Sequence, residues 1–78
     1  MRLDKFLKLS RVIKRRTVAN EAADAGRIAV NGKTVKPSYE VKIGDIVEIK
    51  FGDKTSKFEI LQIPKFESKT ATEIIKIL

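Results

Sequence analysis

The chain has 78 residues and carries 17 Lys and Arg against 10 Asp and Glu, a net charge of +7, with neither cysteine nor histidine. That length allows one module with a thin core, and the missing residue types exclude disulfides, thiol chemistry and the usual zinc ligands. A carboxylate-only metal site sits badly among so many cations, so neither metal nor another cofactor is expected.

The charge is not spread evenly. Residues 2–36 hold ten cations (Arg2, Lys5, Lys8, Arg11, Lys14, Arg15, Arg16, Arg27, Lys33 and Lys36) against three acids, whereas residues 37–78 hold seven Lys and seven acids, which cancel. An excess confined to one contiguous half points to a polyanionic partner for that half. No signal-like apolar segment follows Met1, and no run of about 18 apolar residues occurs, which reads as a cytoplasmic chain with no membrane partner.

In chain order, Leu3, Phe6 and Leu7 recur at helical spacing, with Asp4, Lys5 and Lys8 placed on the other side, and predict a short amphipathic first helix. Ser10 is placed to stop it or to cap a single turn over Arg11, Val12 and Ile13, because its hydroxyl competes for backbone groups, and irregular chain is expected there. Thr17 reads as the N-cap of a second helix whose apolar arc is Val18, Ala19, Ala22, Ala23 and Ala25, closed by Gly26 at a C-terminus that favours positive φ. Between the two, Lys14, Arg15 and Arg16 precede a helix N-terminus that is already positive, so they oppose stability unless an anion is near. Phosphate is the expected anion.

Ile28 to Val30, Asn31-Gly32, then Lys33 to Val35 is a hairpin signal, because Asn-Gly tolerates positive φ at both turn positions. Tyr39, Val41 and Ile43 alternate as far as a Gly44-Asp45 turn and predict a further strand; Val47, Ile49 and Phe51 alternate as another. After Gly52-Asp53-Lys54, the parity of Phe58 and Ile60 switches at Leu61 and Ile63, which suggests a bulge or an end buried on both faces. Thr70 with Glu73 fits a capping box, so a turn of helix followed by extended chain is expected in the tail. The fold class is α+β: two short helices packed on a small, twisted, mainly antiparallel sheet, with a short C-terminal extension.

The residues leave few function classes open. Without His or Cys, the candidates for acid-base work are carboxylates scattered among lysines, so no enzyme is expected. A membrane-surface helix needs an apolar face to spare, and these short arcs are needed for a core. A DNA-reading second helix should offer polar side chains to bases, whereas this one offers Asn20, Glu21 and Asp24. Phe6, Phe51 and Phe58 sit in core-like patterns, so no base-stacking platform is visible, and structured RNA read by shape and phosphates fits best.

The blocks R-L-D-K-F-L-K-L-S-R, K-R-R-T-V-A, G-R-I-A-V-N-G-K-T-V-K-P-S and V-K-I-G-D-I-V-E-I, in that order, resemble the RNA-binding domain of the ribosomal protein S-four type. The resemblance covers about residues 2–51 and implies a single S-four-type module over residues 1–78, with a hairpin strand and tail from 52. With no catalytic domain attached, the chain is similar to the free-standing members of ribosome-associated quality control and, more distantly, to a heat-shock relative with a long basic tail that this charge-balanced C-terminal half lacks. What the resemblance implies is a monomer that binds large ribosomal subunits obstructed by peptidyl-tRNA. It would contact their rRNA and the tRNA beside a nascent-chain-tagging factor, with Arg2, Arg11 and Arg16 on RNA and Lys14 and Arg15 assisting. A module for another structured RNA, in rRNA processing or ribosome assembly, is the alternative.

Overall fold

The computed structural model describes residues 1–64 and 74–78. Helices α1 (Leu3–Leu9) and α2 (Arg16–Asp24) precede strands β1 (Ile28–Val30), β2 (Lys33–Thr34), β3 (Ile46–Phe51), β4 (Lys54–Ile60) and β5 (Ile75–Ile77). The strands form one sheet in the order β2-β1-β3-β4-β5, every pair antiparallel. Strand alternation sends Ile28, Val30, Val47, Ile49, Phe58, Ile60 and Ile75 to the face that meets the helices, where all are buried. Leu3, Phe6 and Leu7 cover them from α1 and Ala19, Ala22 and Ala23 from α2. Fully burying a side chain such as Phe6 or Leu3 contributes about 1.5–3 kcal/mol, so α1 is held mainly by these three contacts. The alanines let α2 lie close.

On the opposite face of the sheet, Glu48 stands across from Lys57 and Glu59 across from Lys76. Such cross-strand pairs support the sheet, and their charges cancel there. The helical half keeps the excess.

Several elements differ from the sequence reading, each for a local reason. Helix α2 starts two residues before the position expected from a Thr17 cap: Arg15 is its N-cap, without a side-chain cap bond, and the Arg15 carbonyl accepts the N–H groups of both Val18 and Ala19. Val18, placed in the apolar arc, is exposed, as is Ala25. The C-terminus follows expectation, since Gly26 takes φ +75 and the Gly26 and Arg27 N–H groups close onto the Ala23 and Ala22 carbonyls, a Schellman arrangement.

Tyr39 to Ile43 does not form a strand. Its pairing partner is the segment ahead of α1: the Leu3 N–H donates to the Tyr39 carbonyl and the Val41 N–H to the Met1 carbonyl, around an isolated bridge between Arg2 and Glu40. Once Leu3 enters the helix that partner is lost, and the chain turns at Lys42, whose N–H binds the Asp45 carboxylate at 2.9 Å. Ile43 is left 67% exposed.

Phe51, expected in the core, is 42% exposed, because β3 runs past the helices to a hairpin end where Phe51 faces Lys54. The parity switch after Ile60 is the expected bulge and not a doubly buried end: next to the Ile60–Ile75 pair, the Leu61 and Gln62 N–H groups both donate to the Ile74 carbonyl, two residues opposing one, and Leu61 is left exposed. The Thr70 and Glu73 capping box lies outside the described residues; the extended chain beyond it is β5. Among the described residues, no helix is long and apolar enough to cross a membrane.

Candidate nucleic-acid interface

Asp4 is the residue on which the cationic half is assembled. Placed by the sequence pattern on the outer side of α1, it is instead 2% exposed, because α2 crosses above it. Its Oδ2 accepts from Arg2 Nη2 at 3.2 Å and Asn20 Nδ2 at 3.2 Å, and its Oδ1 from the Lys5 N–H at 2.8 Å. Arg16 Nη2 lies 3.4 Å from the same Oδ1. Arg16 and Asn20 are four residues apart on α2, one helical turn, so a single carboxylate can engage both.

Burial by itself pushes the Asp4 carboxyl up. The hydrogen bonds from Asn20, the Lys5 N–H and Arg16, together with the Arg16 charge, outweigh it and hold the group below its ordinary value of 3.8. Asp4 is therefore an anion at neutral pH. It also supplies, within the chain, part of the counter-charge that cations at the start of α2 need.

The arginines are not consumed by this contact. Their side chains remain 51% exposed for Arg2 and 47% for Arg16, against 3% for Asp4. A guanidinium carries five N–H donors in a planar fork, so one bond to Asp4 anchors it and leaves donors for an incoming anion. Arg2, Lys5 and Arg16 then line one open hollow of about 670 Å³ with Met1, Ile63 and Pro64. Two guanidiniums on one carboxylate, with the exposed Lys5 beside them in the same hollow, keep the surface positive.

Of the five sequence-derived site residues, Arg2 and Arg16 meet at Asp4, while Arg11, Lys14 and Arg15 lie along the connector between the helices, all exposed. Arg11 sits just past the Ser10 C-cap of α1 at φ +64, a left-handed position that glycine or asparagine usually fills and that costs another residue about 1–2 kcal/mol. Neighbouring contacts hold it there: the Ile13 N–H reaches the Leu7 carbonyl, and Ile13 is buried.

Sequence reasoning missed Asp4, Asn20 and Lys5. The available signal was the isolation of Asp4, the one acid among the first eight charged residues of the chain. An acid so placed is well suited to organise cations.

The S4 domain family profile matches residues 1–47, which takes in both helices and the β1–β2 hairpin. The RQC P-site tRNA stabilizing factor of Listeria innocua serovar 6a is 56% identical over 80 aligned positions, spanning 100% of this chain and 86% of that protein. The protein of the same name from Bacillus subtilis strain 168 is 52% identical over 63, spanning 81% and 73%. Among solved structures, the trimeric Vibrio cholerae heat shock protein 15 superposes with a TM-score of 0.90 at 28% identity, spanning 100% of this chain and 81% of that one. On the strength of the profile match and these identities, the chain belongs to the S4 domain family.

Proposed function

We propose that this protein serves ribosome-associated quality control by binding large ribosomal subunits obstructed by peptidyl-tRNA. It touches rRNA and tRNA at once and holds the tRNA while a tagging factor extends the nascent chain. Arg2, Arg11, Lys14, Arg15 and Arg16 contact RNA phosphates. The observation that carries this reading is the pair of half-exposed guanidiniums fixed on one buried carboxylate: long side chains held in place lose less freedom on binding. The relatives' name, a P-site tRNA stabilizing factor, supplies the target.

The role is binding, not catalysis, performed by a cytoplasmic monomer. With extents of 28 × 24 × 21 Å, the molecule is large enough to bridge an RNA helix of about 20 Å diameter and a neighbour, given the compactness of such domains. Gradient sedimentation of the tagged protein, with sequencing of crosslinked RNA, tests the proposal. It should travel with free large subunits that retain peptidyl-tRNA and crosslink to both RNAs. Preference for small subunits, or crosslinks to an rRNA precursor alone, would replace this reading with a role in rRNA processing or assembly.

A further inference from the structure

The hollow beside Arg2 and Arg16 has an apolar part of its lining, here called its floor, that phosphate contacts do not use: Met1, Ile63 and Pro64 line it together with the cations Arg2, Lys5 and Arg16. The floor is fixed in place. The Met1 carbonyl accepts the N–H of buried Val41 at 3.0 Å, Met1 and Ile63 pack against the core while staying partly open, and Pro64 is buried. Two residues of this floor, Ile63 and Pro64, come from the chain after β4, far in sequence from both Arg2 and Arg16.

A volume of about 670 Å³ falls within the roughly 300–1,000 Å³ usual for small-molecule pockets and exceeds what one phosphate needs. Three apolar side chains and three cations lining one hollow match the two halves of a nucleotide, a flat base and a charged backbone. Proteins that accept an extruded base place its face on apolar side chains in the same manner. A fully paired stem would lay phosphates on the cations and leave the floor in water. Building on the phosphate-led RNA reading above, we infer that this hollow seats a single unpaired nucleotide of the bound RNA, base down on Met1, Ile63 and Pro64, with its flanking phosphates on Arg2, Lys5 and Arg16.

Three short stem-loops test the inference: one with a single bulged adenosine, one with an abasic residue at the same bulge, and one fully paired. The bulged and abasic stems carry the same number of phosphates, so their difference isolates the base. The bulged adenosine should bind about fivefold or more tightly than the abasic stem, the low end of what one stacked base is worth, and Ile63→Ser should abolish that preference while leaving the salt dependence unchanged. In the wild-type protein, ring currents from the seated base should shift the Met1 and Ile63 methyl resonances with the bulged stem and not with the abasic one, a readout that does not depend on how well the variant folds. Equal affinity for the bulged and abasic stems, or unmoved methyl resonances, overturns the nucleotide seat and leaves phosphate binding standing. Failure of all three stems to bind overturns both.

Discussion

At the residue scale, the proposed interface turns on one carboxylate. Asp4 must stay ionised to hold Arg2 and Arg16, and its folded-state pKa lies below the ordinary value. The unfolded chain therefore binds the proton more readily, and the stability Asp4 contributes is fully present above its unfolded pKa and lost as pH falls through the lower folded one. Melting temperatures of wild type and Asp4→Asn should thus differ at pH 7 and converge as the pH drops below about 4. At neutral pH the substitution should cost about 1–3 kcal/mol, because Asn cannot replace the charge between two guanidiniums; an unchanged melting temperature would remove Asp4 from the centre of the design. Arg11 tests the other direction. Its left-handed backbone suits glycine better, so Arg11→Gly should relieve backbone strain worth up to about 1 kcal/mol, set against the loss of the side chain's own contact, and keep the protein folded while weakening RNA binding. That pairing of a kept fold with lost affinity is what a strained functional residue gives.

At the element scale, the β1–β2 hairpin shows where local sequence is a sufficient guide. Asn31 and Gly32 take φ +53 and +85, as the dipeptide demands, yet Asn31 does more than turn the chain. Its Oδ1 accepts the Ile46 N–H at 3.0 Å and its Nδ2 donates to Asp45 at 3.1 Å, tying the hairpin tip to the start of β3. Asn31→Gly keeps the backbone preference and removes both bonds, so thermal unfolding should register a loss of about 1–3 kcal/mol; a neutral result would reduce Asn31 to a turn residue. The helices, this hairpin and the β3–β4 hairpin were legible because their signals are periodic and local. The Tyr39 to Ile43 strand was misread for the opposite reason: its alternation is real, but its partner is the chain at Met1 to Leu3, which leaves the pairing by entering α1. Asp4 was misplaced similarly, since helical periodicity describes which side of α1 meets the sheet and says nothing of α2 crossing over it. The Met1, Ile63 and Pro64 floor carried no local signal, because contacts between distant segments leave no periodicity to read.

At the scale of the whole molecule, the fold separates charge by face. Cross-strand pairs neutralise the outer side of the sheet, while α1, the connector and the start of α2 keep the excess around Asp4. A small protein gains orientation from this, since a polyanion is drawn to one side and docks in a limited set of poses. The most direct test is the salt dependence of affinity for purified large subunits carrying peptidyl-tRNA, measured for wild type and for the double variant Arg2→Ala with Arg16→Ala. With about five phosphates neutralised, log affinity should fall with log salt at a slope near −4 for the wild type and about −2.5 for the variant, which keeps about three, with weaker binding throughout. A flat wild-type response, or a variant with the same slope and affinity, would contradict an RNA interface built on two guanidiniums held by Asp4.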